Sequence, residues 1–506
     1  MELSDMMLEG LKGMLTLHAI LFMAIGMVIG MIFGCIPGLT GGIAIALCLP
    51  FTFYMDVLPS MALLIGIYTG SEFGGSIPAI LVGTPGTPQA SMTVFDGFPL
   101  AKKGEAGRAL KMALYASSCG NFFASFCTIF LLVGLSKFAL MMGPAELFSV
   151  ILFSIILIAT IGSSGSWIKG LMGTMIGLFF SFIGTDPITG VPRFVFSYQL
   201  LGGIELVPVL MGLFVGSGLL TTVNVHSKKL EFQTYKNSDK RFTKAELKTC
   251  APLIVSGSFI GAIIGALPGL NAAISATLNY TFAKRISKHP EQFGTGIIEG
   301  VCAPECANNA TAGPTLAPLL TMGIPGSGTA AIFMGALMIQ GVQVGPTIFR
   351  DYGYVVYGIF FAILICTILM VIIGRVILGG AQYIALIPAE ILNPIIIFTC
   401  IAGAFAGNSS IFDVYMFILF MLVGYLIHLV KIPVLPLLIS YLLGGMLEAN
   451  FRRALVLSDG GMSIFFTHKI SCVFIIITLV ILVYAIFEPQ IKKIMHRKER
   501  NKVNVA

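Results

Sequence analysis

The chain has 506 residues, of which 57% are hydrophobic and only 10% are charged, against roughly 25% charged residues in a soluble domain. Its mean hydropathy is +0.95, and apolar stretches of about 20 residues, enough to cross a bilayer, recur along its length. These values exclude a soluble globular protein. The net charge of +7 resides in loops and the tail, so it reports membrane topology rather than nucleic-acid binding.

The apolar runs are continuous rather than alternating, which predicts helices and not transmembrane strands. We therefore predict an all-α polytopic membrane protein with roughly 12–15 membrane segments, some of which re-enter the bilayer rather than cross it. The segment from Met1 to Gly13 has three acidic residues and one lysine. It is expected to form an interfacial helix, and no cleaved signal peptide is expected because a basic n-region is missing.

The first half contains two Pro-Gly breaks within apolar sequence. Pro37-Gly38, followed by Thr40, is the first, and Thr84-Pro85-Gly86-Thr87 is the second. The tract Ser60 to Val82 between them is polar for a spanning segment and contains Glu72. A Pro-Gly pair is costly in a helix, and in a membrane it persists only where it is buried in protein or lines a wet cavity.

The second half repeats this plan after a hydrophilic linker, residues 224–250. Its breaks are Pro268-Gly269, followed by Asn271, and Pro325-Gly326-Ser327. The polar tract between these breaks contains Glu305, Asn308 and Asn309. Both halves thus place acidic or amide side chains between two interruptions of apolar sequence.

The breaks of the two halves match position for position. Residues 30–39 and 261–270 share two glycines four positions apart and a Pro-Gly-Leu, and residues 83–87 match 323–327. Interrupted segments at matching positions of two halves indicate the binding site of a secondary transporter. Two unrelated copies of a common kink are the alternative. The predicted organisation is a first membrane repeat at 1–223, a linker at 224–250, a second repeat at 251–487 and a basic tail at 488–506.

Equivalent loops of the two halves carry opposite charge patterns. Loops 54–59 and 343–352 are acidic or neutral, whereas loops 101–111 and 283–290 are basic. Because Lys and Arg accumulate in cytoplasmic loops, we predict two inverted-topology repeats with broken or re-entrant helices. The N-terminus is expected outside, with the linker and tail in the cytoplasm. One feature counts against this topology, since two arginines lie on the predicted outside near two acidic residues that would offset them: Arg452, Arg453, Glu448 and Asp459.

The breaks have the chemistry of an anion site. A broken helix exposes backbone N–H groups at the start of its next half, and these groups and the helix dipole attract anions. Four breaks are expected to converge near the midplane and bind a carboxylate without Arg or Lys, which the four tracts lack. Kinking without ligand contact is the alternative. The predicted substrate-binding residues are Pro37, Gly38, Thr40, Thr84, Pro85, Gly86, Thr87, Pro268, Gly269, Asn271, Pro325, Gly326 and Ser327.

Two acidic residues lie in otherwise neutral tracts, Glu72 and Glu305. An intramembrane acid is a functional residue by default, because burying its charge is costly. Together with Asn308 and Asn309 they are the predicted residues for coupling to Na⁺ or a proton. The alternatives are an interfacial position for the acids and hydrogen bonding between helices for the asparagines.

Reactive side chains are scattered rather than paired. The ten Cys and six His form no C-x-x-C or H-E-x-x-H spacing, and no G-x-x-x-x-G-K-[ST] motif is present. We therefore expect no enzyme, no catalytic residue, no metal site and no cofactor other than the coupling ion. An ion channel fits less well than a carrier, because channels usually repeat a filter by oligomer symmetry.

Five longer motifs carry a resemblance to a known family. They are Gly66-Ile-Tyr-Thr-Gly-Ser-Glu-Phe-Gly-Gly-Ser-Ile-Pro-Ala-Ile80, Gly83-Thr-Pro-Gly-Thr87, Asp96-Gly-Phe-Pro-Leu-Ala-Lys-Lys-Gly104, Ala303-Pro-Glu-Cys-Ala-Asn-Asn-Ala310 and Gly323-Ile-Pro-Gly-Ser-Gly328. With them the chain resembles the large permease subunit of the tripartite tricarboxylate transporter family over most of its length.

The resemblance implies a secondary transporter of the bacterial inner membrane that imports tricarboxylates such as citrate, or related organic acids. Transport would proceed by alternating access with Na⁺ or H⁺. The implied partners are a small membrane subunit and a periplasmic substrate-binding protein, with no nucleic acid. A permease that works without a binding protein, or one that exports, is the alternative.

Overall fold

A computed structural model describes residues 3–161, 166–186, 188–222, 242–267, 270, 272–345, 347–380 and 389–503. In these ranges nearly all regular structure is helical, and the two strands have two residues each. The predicted all-α class is confirmed. Residues 224–241 of the predicted linker and the predicted site residues Pro268, Gly269 and Asn271 lie outside the described residues.

The first part of the chain places a short helix after each Pro-Gly break. The helices up to residue 161 are α1 (Leu3–Met14), α2 (Leu17–Cys35), α3 (Gly41–Thr52), α4 (Val57–Gly74), α5 (Ser76–Leu81), a 3-10 helix (Pro88–Thr93), α6 (Val94–Lys102), α7 (Ala106–Leu140) and α8 (Pro144–Ile161).

The middle of the chain carries the two short strands. Its elements are α9 (Trp167–Ser181), β1 (Gly184–Thr185), β2 (Pro192–Arg193), a 3-10 turn (Tyr198–Leu200), α10 (Leu206–Leu210), a π-helical segment (Met211–Gly216) and α11 (Ser217–Thr222). The strands pair antiparallel, with Gly184 opposite Arg193.

The second part returns to long helices. Its elements are α12 (Lys244–Ala266), α13 (Ala272–Ile286), a 3-10 turn (Pro290–Gln292), α14 (Glu299–Asn309), α15 (Ala312–Met322), α16 (Gly328–Ile339), α17 (Ile348–Leu378), α18 (Ala389–Asn408), α19 (Ile411–Leu429), α20 (Val434–Leu457), α21 (Ile464–Thr467) and α22 (Lys469–Val503). A capping box at Thr243 and Glu246 starts α12.

Eight helices among the described residues are long and apolar enough to cross a membrane, and five shorter apolar helices have 10–17 residues. The predicted polytopic class is therefore confirmed. The chain divides into two compact units, Met1–Leu140 with Glu205–Tyr425 (unit 1) and Met141–Ile204 with Leu426–Ala506 (unit 2). The breaks at Pro37-Gly38, Pro85-Gly86 and Pro325-Gly326 belong to unit 1. The predicted repeat boundaries follow the chain rather than these units, and they stay a prediction.

Matching glycines bring matching helices into backbone contact. A Cβ atom on Gly34 of α2 would lie 2.6 Å from the carbonyl oxygen of Ser71, and one on Gly265 of α12 would lie 2.7 Å from that of Thr311. Small residues let membrane helices approach this closely. Ser71 and Thr311 are 240 positions apart, as are the second and fourth Pro-Gly breaks. The two halves therefore share a packing plan as well as a sequence pattern.

Helices α7 and α17 run antiparallel through unit 1. The Asn121 amide donates to Thr367 Oγ1 at 3.0 Å, and a Cβ on Gly374 would lie 2.9 Å from the Leu114 side chain. At 1.5 Å per residue, about 39 Å of helix separates Gly374 from the start of α17. The first residues of α7 and α17 therefore lie at opposite ends of unit 1.

The end of unit 1 at the start of α7 is strongly charged, and we call it the charged end. Arg108 forms ion pairs with Glu105 and Glu246, beside a cavity of about 420 Å³ that Lys103 and His289 also line. Loops 101–111 and 283–290 thus meet at this end.

At the opposite end of unit 1, Gln340 donates to the Thr52 carbonyl and to Ser60 Oγ, and Leu58 packs on Gly358. Loops 54–59 and 343–352 therefore lie at this end, away from the two basic loops. The inversion of the repeats and the assignment of sides stay predictions.

Unit 2 contains an ion-pair network between the β-hairpin and α20. Arg193 donates to both carboxylate oxygens of Glu448, at 2.8 and 3.0 Å. Arg452 donates to Asp186 at 2.8 Å and lies 2.7 Å from Glu448. The sequence pointed to Glu448 as a partner of Arg452 but not to Asp186, which the hairpin brings to α20 from 266 positions away.

Candidate functional site

The first and fourth breaks lead into two short helices that pack together, α3 and α16. Thr40 and Ser327 are their N-caps, and each hydroxyl accepts a hydrogen bond from the N–H three residues on, at 3.4 and 3.1 Å. A Cβ on Gly42 would lie 3.5 Å from Thr329 Oγ1 and 3.6 Å from Thr40 Oγ1. Two helix N-termini, whose dipoles favour anions, therefore lie close together.

Glycines make these turns sterically accessible. Gly38 has a φ of +91° and Gly323 a φ of +72°, values that residues with a Cβ rarely adopt. Gly38 is exposed and Pro37 is half-buried, whereas Pro325 and Gly326 are buried. The predicted residues of the first and fourth breaks thus differ in exposure, although both breaks end in a capped helix.

The second break packs on the last turn of α2, just before the first break. The N–H of Gly86 donates to the carbonyl of Gly75 at 3.0 Å, and any side chain at Gly86 would collide with the carbonyl oxygen of Gly34. Thr84 and Pro85, which precede it, are half-buried. The structure therefore brings the second break against the helix that leads into the first break.

Thr87 differs from the other hydroxyl residues at the breaks. It precedes the 3-10 helix without capping it, and its hydroxyl has no hydrogen-bond partner among the described residues although Thr87 is only 4% exposed. A buried polar group without a partner costs about 1–3 kcal/mol. Such a group is expected where a ligand completes the hydrogen bonds.

Glu305 is fully buried within a set of hydroxyl groups. Its carboxylate accepts hydrogen bonds from Ser76 at 2.6 Å, from Ser117 at 3.0 Å and from Thr93. Asn309 donates to Ser117 Oγ at 2.8 Å and to the backbone carbonyl of Glu305 at 3.2 Å. Four elements meet here, namely α5, the 3-10 helix, α7 and α14.

The other two predicted coupling residues are held more loosely. Glu72 is buried, and the one hydrogen-bond donor to it among the described residues is the Gln89 amide, at 3.3 Å from each carboxylate oxygen. Asn308 is 1% exposed, and neither its amide oxygen nor its amide nitrogen has a partner among the described residues. The residue 240 positions earlier, at the matching place in the first half, is Tyr68. The structure therefore groups Glu305 with Asn309 and leaves Asn308 with unmet hydrogen-bonding capacity.

Three residues of this region were missed by the sequence analysis: Ser76, Thr93 and Ser117. Serine and threonine are common in membrane helices, where their hydroxyls usually bond to the carbonyl four residues earlier, so composition alone does not single them out. Ser76 follows the glycine pair at 74–75, which was a usable signal. Nothing in the local sequence relates Ser117 to Glu305, because the contact spans 188 positions.

None of the ion pairs among the described residues includes Glu72 or Glu305. The described residues also contain no group of three or more His, Cys, Asp or Glu that could hold a metal ion. The region therefore offers neutral donors, helix N-termini and two carboxylates.

Paired helix breaks with buried polar residues between them define the class of the protein, a polytopic helical membrane protein built like a secondary transporter. The chain belongs to the tripartite tricarboxylate transporter TctA family, whose model matches residues 20–439. This confirms the resemblance to the large permease subunit.

Two relatives come from Agrobacterium vitis. One, described as "Uncharacterized 52.8 kDa protein in TAR-I ttuC' 3'region", is 33% identical over 467 residues, which is 91% of this chain and 90% of the relative. The other, "Uncharacterized protein in TAR-II ttuC' 3'region", is 36% identical over 203 residues, 40% of this chain and 84% of the relative. No solved structure matches the chain.

Proposed function

We propose that this chain is the permease of a binding-protein-dependent secondary transporter that imports a tricarboxylate or a related organic acid. A Na⁺ or H⁺ gradient drives alternating access, and no covalent chemistry is involved. Family membership supports the transported class. It also supports two partners, a small membrane subunit and a periplasmic substrate-binding protein.

The proposed location is the bacterial inner membrane, with the charged end of unit 1 in the cytoplasm. Lys and Arg favour that side, and the charged end carries Lys103 and Arg108. The N-terminus then lies outside and the basic tail inside. Labelling of single cysteines at Lys103 and Asp56 from either side of sealed vesicles tests this orientation. Access to Lys103 from the outer side alone contradicts it.

The proposed substrate site lies at the helix breaks. The observation that carries it is the buried hydroxyl of Thr87, which has no hydrogen-bond partner among the described residues and follows a break that packs on the end of α2. A substrate carboxylate would accept from this hydroxyl and from N–H groups at the starts of α3 and α16. Neutral donors and helix dipoles hold an anion without a fixed countercharge, which favours release as well as binding.

The proposed coupling residues are Glu72, Glu305, Asn308 and Asn309. They are buried in unit 1, and α14 packs against α4, which carries Glu72. In an alternating-access cycle, an ion bound there would change the charge of the interior at the same time as the substrate arrives.

The test of the proposed function is uptake of radiolabelled citrate into proteoliposomes that contain this chain, its candidate small subunit and its candidate binding protein. Na⁺ and pH gradients are imposed separately. We expect uptake that requires the binding protein and one of the gradients. Uptake that is insensitive to both gradients contradicts the coupled carrier. Uptake without the binding protein, or efflux only, favours the alternative of an independent permease or an exporter.

The substrate site is tested by Thr87→Val. Losing a hydrogen bond to a charged group costs about 1.5–3 kcal/mol, so we expect the KM for uptake to rise by about 10- to 100-fold. Thr321→Val is the matched control, because the buried Thr321 hydroxyl bonds only within its own helix. Equal KM values for the two variants contradict a role of Thr87 in substrate binding.

A further inference from the structure

The carboxylate of Glu305 has three hydroxyl donors and no cation. Ser76 and Ser117 donate to one carboxylate oxygen and Thr93 to the other. Three donated hydrogen bonds stabilise the ionised form of a carboxyl group. A fully buried anion whose countercharge is absent is nevertheless costly, and no ion pair among the described residues supplies one. The charge of Glu305 is therefore left for a ligand to balance.

The groups around this charge are all oxygens suited to a hard cation. A hydroxyl that donates its proton to the carboxylate keeps two lone pairs. The two carboxylate oxygens and the three hydroxyl oxygens thus offer five ligands, and hard cations prefer oxygen ligands of this kind. Because the set contains one negative charge, a monovalent cation neutralises it, whereas a divalent cation leaves an excess positive charge.

A second feature points to a ligand at the same level of α14. Asn308, three residues after Glu305, is buried, and its amide oxygen has no partner among the described residues. Residues three apart are neighbours on a helix surface. An amide oxygen is another ligand of the type that Na⁺ accepts, and its unmet capacity has no explanation within the protein.

We propose that Glu305, Ser76, Thr93 and Ser117 form a sodium site, in which Asn309 is a positioning residue that orients Ser117. The hydroxyl-to-carboxylate distances of 2.6 and 3.0 Å are those of hydrogen bonds, so the test below decides between Na⁺ and K⁺. A proton would turn Glu305 into a donor and require one of the three hydroxyls to rotate and accept, whereas a cation leaves the three hydrogen bonds in place.

The site joins the two predicted repeats. Ser76, Thr93 and Ser117 come from the first half of the chain and Glu305 comes from the second. Bound Na⁺ therefore stabilises the arrangement in which α14 lies against α5 and α7. This inference deepens the proposed function, because Na⁺ at this site is then the coupling ion, but the binding itself needs neither substrate nor partner.

The test is thermal unfolding of the full-length protein in detergent without substrate. NaCl replaces choline chloride at constant ionic strength. A ligand that binds only the folded state raises the unfolding temperature as its concentration rises. We expect a saturable rise with Na⁺ and none with KCl. Equal rises with both salts, or a stability that responds to pH but not to Na⁺, overturn the sodium site.

Variants locate the site. Glu305→Gln is expected to abolish the Na⁺-dependent rise, and Ser117→Ala to raise the Na⁺ midpoint about 10-fold, the effect of one lost interaction. Asp413→Asn is the matched control, because it removes a buried carboxylate that lies outside the proposed coupling set and accepts from the Asn408 amide at 3.0 Å. Its Na⁺ midpoint should stay within about 2-fold of the wild type. A Glu305→Gln protein that keeps the rise, or an Asp413→Asn protein that loses it, contradicts the assignment.

Two controls keep the outcome decisive. If Glu305→Gln does not fold, Ser76→Ala and Ser117→Ala retain the carboxylate and must each shift the Na⁺ midpoint, and unshifted midpoints overturn the site. Asn309→Ala should shift the Na⁺ midpoint without changing the unfolding temperature in choline by more than Ser117→Ala does. If Na⁺ binds as expected but uptake ignores the Na⁺ gradient, the site stands and the proposed coupling fails.

Discussion

Glu305 in unit 1 and Glu448 in unit 2 are carboxylates held in two different ways. Glu305 accepts hydrogen bonds only from hydroxyl groups, whereas Glu448 accepts a two-pronged contact from Arg193 and a further contact from Arg452. A guanidinium fixes both geometry and charge. Neutral donors fix the geometry and leave the charge open. The comparison teaches that neutral donors, as at Glu305, suit a site whose countercharge is a ligand that binds and leaves.

Asp186 shows how strongly unit 2 holds its carboxylates. The backbone N–H groups of Ile188 and Thr189 donate to it, and Arg452 donates to its other oxygen. These contacts hold the pKa of Asp186 well below its usual range, the N–H groups first and Arg452 after them. The hairpin is therefore tied to α20 by a group that is ionised throughout the neutral range.

The largest expected effect comes from removing every donor to Glu305, in the triple variant Ser76→Ala, Thr93→Val, Ser117→Ala. Each hydrogen bond to a charged group is worth about 1.5–3 kcal/mol, so the free energy of unfolding should fall by about 4 kcal/mol or more. Denaturant unfolding at pH 7 without Na⁺ measures it. Adding Glu305→Leu to the triple variant should recover part of the loss, and no recovery means that the hydroxyls do not act through the carboxylate.

A smaller loss is expected for Arg193→Ala in unit 2. The variant removes the two-pronged contact but leaves Glu448 with Arg452, so the free energy of unfolding should fall by about 1.5 kcal/mol. The free energy of unfolding of Arg193→Lys should lie between those of Arg193→Ala and the wild type, because lysine keeps the charge but cannot form the two-pronged contact. If lysine restores full stability, geometry contributes nothing to the pairing.

The pH dependence of unit 2 follows from the lowered pKa of Asp186. A lowered folded-state pKa contributes stability that is fully present above the unfolded pKa of about 3.9 and is lost as pH falls through the folded pKa. The unfolding temperatures of wild type and Asp186→Asn should therefore differ most near pH 7 and converge below about pH 4. The exposed Asp459→Asn serves as control. A difference that grows on acidification contradicts the assigned sign.

The smallest expected effect is that of salt. Raising choline chloride from about 0.05 to 1 M screens partly exposed charges more than buried ones. The destabilisation by Arg193→Ala should shrink by a few tenths of a kcal/mol, while that by Ser117→Ala should not change. Equal salt sensitivity of the two variants would mean that the Glu305 site is open to bulk solvent.

Much of the architecture was readable from local sequence. Continuous apolar runs predicted the helices, and Pro37-Gly38 and Pro325-Gly326 marked helix ends that the structure places at the starts of α3 and α16. Thr40 and Ser327 have the residue types of N-caps, and both cap. Backbone preferences of this kind act within a few residues, which is why a single sequence reveals them.

The candidate site was readable only in part. An acid in neutral apolar sequence singled out Glu305, and the repeat directed attention to the breaks. The partners of Glu305 were not readable, since Thr93 and Ser117 reach it across 212 and 188 positions. Likewise nothing near Arg452 in the sequence pointed to Asp186. Hydroxyls and carboxylates become a site only when separate helices pack side by side.

By itself the sequence determined the membrane class, the two matching sets of breaks and the family, because hydropathy, Pro-Gly chemistry and motif spacing are local properties. Only the tertiary structure decided which hydroxyls surround Glu305, that the Thr87 hydroxyl and the Asn308 amide remain unpartnered, and that Asp186 neutralises Arg452. Those outcomes depend on close approaches between helix backbones such as the one at Gly34. Where two helices meet is set by the packing of the whole unit rather than by either segment alone.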